Sequence, residues 1–346
     1  MYERTSRLTD MLLEKEGFAM AADSQTIGDT VLPMSLPVEV KTVTSRSQRP
    51  RRNLQYKPYV PYAFLLPFVV LFVVFFFGPF FYDIYNSLYH QVHHGLYGAP
   101  TIEWAGLNNY TKALQDPDFR NGIGRVINFG VVQIPIEMGL ALLLALLMDS
   151  AVIKFRTFFR LVAFLPYAIP GVVAALIWGF IYSPRLSPIV KGFAALHLGQ
   201  LDFLGPHAVL WSIANISTWS FAGFNMIIFY SALQAIPQEI YESGRLDGLS
   251  EFGIAVRLKL PMIAPALVLG MLFALVGTLQ LFNEPQILRP IAGSITSNYT
   301  PNMMAYNVAY VSTDFYYGGA IAAIMGFLTF AFSFGFLRLT RSRSGV

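Results

Sequence analysis

Three groups of residues in this sequence are of a type and spacing that could do chemistry. The first is HQVHH, which places His90, His93 and His94 within five positions and could touch a metal ion. The second is Glu137, a carboxylate inside an otherwise apolar run that ends in LALLLALLM. A carboxylate at such depth could carry a proton or could hold a neighbouring helix. The third is YESGRLDGLSEFGIAVRLKLP, residues 241–261, a charged and glycine-broken stretch between two apolar ones. The histidines are expected to be a solvated loop. Glu137 has no second carboxylate or histidine in pattern with it, and a satisfied contact between helices is expected there. No catalytic residue and no metal ligand is expected in this chain. The absence of cysteine excludes disulfides, thiolate metal sites and a cysteine nucleophile.

The elements that must position these groups follow from composition. Of 346 residues, 55% are hydrophobic and only 13% are charged, whereas a soluble domain carries about a quarter. Lipid is therefore the expected solvent. The net charge of +4 is too small to suggest nucleic acid as a partner. A bilayer core needs roughly 20 apolar residues of helix. Six stretches qualify, at about 62–82, 126–148, 161–182, 208–233, 263–282 and 318–337. The expected class is all-α, a polytopic membrane protein with six transmembrane helices. Pro166 and Pro170 should kink or loosen the third span.

Six spans put both termini on one side of the membrane. The segments sharing that side carry fifteen Lys and Arg residues close to the span ends, among them Arg51, Arg156, Arg257, Lys259 and Arg338; the other side carries six. The positive-inside rule assigns the richer side, with residues 241–261, to the cytoplasm. Residues 1–57, which include SRSQRPRRN, are expected to form a disordered basic tail drawn to anionic lipid. A membrane domain over 58–340 and a short tail over 341–346 complete the expected organisation.

Between the fourth and fifth spans, Pro237 should open a short helix, PQEIYESGRL. Asp247-Gly248 reads as a turn. The Asp247 side chain could cap a second short helix, LSEFGIAVRLKL. This helix–turn–helix, about 236–262, exceeds the usual 2–8 residues between bundled helices. It fits either a docking element or a connector resting on headgroups.

Glu242, then Asp247-Gly248, then Leu260-Pro261 resembles the EAA loop of permease subunits of bacterial ATP-binding-cassette importers. Ser243 and Gly244 stand where that family usually has two alanines, and Ala255 replaces a common aromatic. AGLNNYTKALQDPDFRNGI, FFRLVAFLPYAIPGVVAALIW and ALQAIPQEIYE are similar to further signatures of the carbohydrate branch. The likeness covers about 60–340 and falls on the side of the permease pair that resembles maltose- and glycerol-phosphate-type first subunits. Their frequent Gly-Gly-Pro after the fifth span is absent from LRPIAGSITSNYTPN.

The resemblance implies a type I importer permease (MetI-like) fold in a bacterial cytoplasmic (inner) membrane, with both termini cytoplasmic. It implies half of a translocation path for a sugar or oligosaccharide, completed by a second homologous permease. A dimer of cytoplasmic ATPase subunits would hydrolyse ATP-Mg, and an extracytoplasmic solute-binding protein would deliver the sugar. No cofactor is implied for this chain, which also lacks a G-x-x-x-x-G-K-[ST] loop. Glu242, Ser243, Gly244, Asp247, Gly248 and Pro261 would couple to the ATPase, with Glu242 as polar anchor and Gly244 permitting close approach.

Polar side chains in the fourth and fifth spans bear on the path. Asn215, Ser217, Thr218, Ser220, Asn225, Gln280, Asn283 and Glu284 could meet hydroxyl groups or could hydrogen-bond between helices. Alignment with the maltose-type pattern implies that Ser217, Phe221, Phe224 and Asn283 line the substrate path. The rival from another class is a self-sufficient secondary transporter of a small polar solute, which would show inverted repeats and paired intramembrane charges.

Overall fold

A computed structural model describes residues 59–93, 100–150, 154–197 and 201–344. The expected tail over 1–57, His94 and residues 345–346 lie outside the described residues. The described residues are mostly helical, and the helix lengths follow the apolar runs. Helix α1, Val60–Asn86, has 27 residues and none of its most apolar window is buried. At 1.5 Å per residue it is about 40 Å long, enough to cross a bilayer core. A helix apolar on every face and uncovered by protein is stable only against lipid or another chain. Phe64, Phe68, Phe75 and Phe76 all face outward along it.

Beyond α1 lies a small antiparallel hairpin, β1 Tyr89–His93 and β2 Pro100–Trp104, an addition to the all-α expectation. Asn109, on α2 (Asn108–Gln115), ties it down: its Nδ2 donates to Ser87 O at 2.9 Å and to Tyr89 O at 2.7 Å. The GLNNY motif thus fastens the loop that follows α1 to the end of that helix.

Helix α3, Pro117–Asp149, and helix α7, Val209–Gln234, form the central pair. Ala141 and Ala145, one turn apart on α3, are fully buried with Met226, Phe229 and Leu233 of α7. Small residues let helix backbones approach closely where lipid supplies no hydrophobic drive. Between them the third span is broken. Helix α4, Arg156–Phe164, passes through a 3₁₀ turn at Leu165–Ala168 into helix α5, Gly171–Tyr182, with a bend of 97°. Pro166 and Pro170 lie within this break, where each removes a backbone donor. The sequence predicted a kink; the structure makes it a right-angle turn.

Helix α6, Pro188–Ala195, precedes α7, and α8, Gln238–Leu246, follows it. Helix α9, Glu251–Met262, meets α10, Ala264–Leu279, at 70°. Short helices α11, Asn283–Leu288, and α12, Pro301–Tyr306, lead to the last, α13, which runs Phe315–Ser344 and so takes in most of the expected 341–346 tail. Among the described residues, four helices (α1, α3, α7 and α13) are long and apolar enough to cross a membrane, and up to six spans result if each bent pair is one.

Candidate functional site: a polar cavity and a charged hairpin

Ser217, Phe221 and Phe224 recur at i, i+4 and i+7 on α7, which puts them on one helix face. They open onto a cavity of about 420 Å³, and Asn283, at the start of α11, borders the same space. All four residues assigned to a substrate path by resemblance are therefore brought together. The wall also contains residues that sequence reasoning did not single out. Tyr167, set by the break in span three, stacks on Phe224 with ring centroids 4.6 Å apart and meets Phe221 edge-on at 6.0 Å. Phe273 of α10 lies 6.3 Å from Phe224. The FLPYAIP stretch showed the prolines but gave no indication that the turn would swing Tyr167 against α7.

One side of the cavity is a polar chain across three helices. Gln133 and Asn225 both donate to Glu137, the latter from Nδ2 to Oε1 at 2.7 Å. Thr278 Oγ1 donates to Gln133 Oε1 at 3.3 Å. The expectation of a satisfied interhelical contact at Glu137 holds. A carboxylate among apolar helices is stable only when its lone pairs are met in this way. Gln133, one turn before Glu137, was the signal available in the sequence.

Other polar residues of α7 serve packing. Asn215 donates to Tyr182 Oη at 2.8 Å, and Ser212 Oγ to Phe203 O at 2.7 Å. Trp219 meets Trp178 edge-on at 5.8 Å outside the cavity wall. Gly223 of α7 is in tight contact: a Cβ there would sit 1.8 Å from Ala163 O. Gly277 faces open space.

The charged stretch forms a helix–turn–helix, α8 and α9. Gly248 turns the chain at φ +81°, a conformation that favours glycine. Asp247 ends α8, and Ser250 caps α9, accepting from Gly253 N at 3.2 Å. The cap expected from Asp247 thus falls to Ser250, because the turn spends two further residues, Gly248 and Leu249, before the second helix begins. Gly244 is buried against the partner helix of its own hairpin, where a Cβ would come 2.7 Å from Leu258 Cδ1. Glu242 and Ser243 are exposed, and Leu246 and Phe252 project at the turn with 89% and 78% exposure. Pro261 sits at the bend into α10.

The hairpin is also anchored to the helices behind it. Lys259 Nζ pairs with Asp149 Oδ2 at 2.5 Å, and Gln234 Nε2 donates to Asp149 Oδ1 at 2.8 Å. Lys259 lies over the Tyr241 ring at 4.9 Å. Burial, and then the Asp149 carboxylate, push the Tyr241 phenol up to about 12, so it stays protonated and donates to Leu233 O at 3.4 Å.

Straight and sharply bent apolar helices around a polar cavity, with a charged hairpin packed at one end, define a multi-pass membrane permease. The chain belongs to the family of binding-protein-dependent transport system inner membrane components, which matches residues 139–343, more than half its length. It is 30% identical to the probable ABC transporter permease YurN of Bacillus subtilis, over 68% of this chain and 82% of that one. To the diacetylchitobiose uptake system permease NgcF of Streptomyces coelicolor it is 26% identical, over 68% and 70%. To the lactose transport system permease LacF of Rhizobium radiobacter it is 29% identical, over 66% and 80%. A solved bacterial ABC transporter involved in the import of the acidic polysaccharide alginate contains a chain of the same fold. The TM-score is 0.71 at 20% identity, covering 82% of this chain and 96% of that one.

Proposed function

We propose that this chain is the permease subunit of an ATP-driven importer of a sugar or oligosaccharide, seated in a bacterial cytoplasmic membrane with both termini inside. The observation that carries the substrate class is the cavity. Aromatic faces at Tyr167, Phe221 and Phe224 stand beside the hydroxyl of Ser217 and the amide of Asn283. A saccharide presents apolar C–H faces and hydroxyl rims, and such a wall offers both a surface to stack on and groups to bond. Two relatives whose names carry a sugar, the lactose and diacetylchitobiose permeases, support the same class.

This chain supplies half of the path. A second homologous permease completes it, a solute-binding protein delivers cargo from outside, and an ATPase dimer binding ATP-Mg drives the cycle. The hairpin of α8 and α9 is the coupling element. Its exposed Glu242, Leu246 and Phe252 present one carboxylate and two apolar side chains to a groove on the ATPase, while Ser243, Gly244, Asp247, Gly248 and Pro261 shape the helix and turn that display them.

The purified complex, with binding protein and sugar present, tests this assignment. Glu242→Lys should abolish most of the sugar-stimulated ATP hydrolysis while leaving assembly intact. Unchanged stimulated hydrolysis would remove the hairpin from its role. Failure of every saccharide in a transport panel, with uptake of another solute class, would remove the substrate class.

A further inference from the structure

A second cavity lies at the end of the bundle away from the charged hairpin. Helix α3 begins at that end, where Phe119 packs with Met304 of α12 and Tyr317 of α13, and it finishes at Asp149 beside Lys259. The space measures about 1050 Å³ and opens between the last turns of α1, α12 and the first turns of α13. Phe282 borders both this space and the cavity that contains Ser217.

From Phe282 a row of rings continues. Tyr306 lies 5.4 Å from Phe282, Tyr310 5.2 Å from Tyr306, and Phe315 5.8 Å from Tyr310, centroid to centroid. All four rings line the second cavity. Tyr306 and Tyr310 are four residues apart, on α12 and the wide helical turn Asn307–Val311 that extends it, so they share one face. Thr313, which also lines the cavity, holds φ +58° in the turn before α13, a conformation costly for a β-branched residue.

The same wall carries polar groups without partners. Asp83, Asn86 and Gln91 are half-buried, and no hydrogen bond or ion pair joins their side chains to any other described residue. Gly319 makes room for the first of them, since a Cβ there would come 2.7 Å from Asp83 Oδ1. An apolar helix seated in this space would desolvate all three and satisfy none. A saccharide offers C–H faces to the rings, and hydroxyls to the carboxylate and the two amides.

We propose that this second cavity is an outer saccharide subsite, and that its four rings form a track that passes an oligosaccharide to the inner cavity by way of Phe282. This rests on the saccharide assignment made above. It narrows that assignment to chains long enough to occupy both spaces.

The test is uptake by the complete reconstituted importer, supplied with saturating binding protein. The probes are labelled disaccharides and hexasaccharides, taken in turn from the glucan, galactan, mannan, xylan and chitin series. Each variant is compared with the unaltered importer at each length, so the binding protein's own preference cancels. Tyr310 is 66% exposed, so its truncation should leave the fold intact. Tyr310→Ala should slow hexasaccharide uptake about tenfold and disaccharide uptake less than about twofold, and Tyr310→Phe should match the unaltered importer. Asp83→Ala should show the same dependence on length, with Asp83→Asn recovering part of the loss. Equal losses at both lengths, no loss at either, or uptake of disaccharides without any hexasaccharide would overturn the subsite and leave the transport function standing. Loss of the second permease from the purified Tyr310→Ala complex would give the cavity to a protein partner and overturn the subsite as well. Uptake of no saccharide by the unaltered importer would overturn the transport function and the subsite together.

Discussion

Lys259, near the end of the charged hairpin, reaches Asp149 at the last turn of α3, and the two side chains are largely buried, with Nζ 2.5 Å from Oδ2. They lie 110 positions apart in sequence. Asp149 also accepts from Gln234 at the end of α7, so one carboxylate joins the hairpin to both helices of the central pair. A force applied at the exposed turn would reach the cavity helices through this joint. Breaking a buried pair leaves a lone charge and costs about 3–5 kcal/mol, whereas replacing both partners by apolar groups is often near neutral. Lys259→Met should therefore lower the thermal stability of the complex in detergent. Lys259→Met with Asp149→Leu should recover most of that loss and still show weakened coupling between sugar and ATP hydrolysis. A double variant no more stable than the single one would refute the pairing argument.

Span positions were legible because each is a run of apolar residues longer than a bilayer core requires, and that property is local. The hairpin was legible for a similar reason: Asp247-Gly248 breaks the chain, and charge excludes the segment from lipid. The Asp149–Lys259 joint was not, since neither residue carries a local mark of its partner. The cavity divides the same way. Ser217, Phe221 and Phe224 are indicated by the resemblance to the maltose-type pattern, and their spacing of four and three residues puts them on one face of α7. Tyr167 and Phe273 reach the cavity from other elements, and only the 97° break in span three sets the first of them in place. A proline predicts that a helix bends; the angle depends on what the freed ends pack against.

Helix α4 rests on α7 at Gly223 with almost no clearance, while Gly277 on α10 has nothing within 4 Å of a Cβ. These two glycines should respond in opposite ways to the same substitution. At Gly223 the obstacle is backbone, Ala163 O at 1.8 Å, which cannot turn aside as a side chain can. Gly223→Ala should cost at least the roughly 1–3 kcal/mol typical of overpacking and reduce the amount of folded protein in the membrane. Gly277→Ala should match or slightly exceed the unaltered protein, since alanine favours helix by about 1 kcal/mol. Melting of the two variants in detergent, monitored by fluorescence, checks the contrast.

Gly244 presents the intermediate case. The nearest atom to an added Cβ is Leu258 Cδ1 at 2.7 Å, the end of a flexible side chain. A rotamer change of Leu258 relieves that contact at a cost of about 0.5–1.5 kcal/mol, and the gain in helix propensity offsets most of it. Gly244→Ala should be nearly neutral for coupled ATP hydrolysis, consistent with the alanine common at the matching position of the resembling family. A β-branched side chain has no such escape, so Gly244→Val should pry α8 from α9 and lower coupled hydrolysis several-fold. Adding Leu258→Ala to Gly244→Val should restore part of it. Equal activity of the alanine and valine variants would show that the approach of α8 to Leu258 is not limiting.

Tyr167 is the residue on which the cavity's aromatic wall turns. It stacks on Phe224 at 4.6 Å and contacts Phe221 edge-on, so it holds both rings of α7 in their orientation. Such pairs contribute about 0.5–1.5 kcal/mol each beyond their buried area. Tyr167→Ala would free both rings and take away one stacking surface. Tyr167→Phe keeps the ring and removes only the hydroxyl. If the wall holds a saccharide by its apolar face, uptake of labelled sugar by reconstituted complex should fall about tenfold or more in Tyr167→Ala, a loss near 1.4 kcal/mol or above, and stay within about twofold in Tyr167→Phe. Equal losses in the two would place the importance of Tyr167 in its hydroxyl. Full uptake by Tyr167→Ala would remove this face of the cavity from the path.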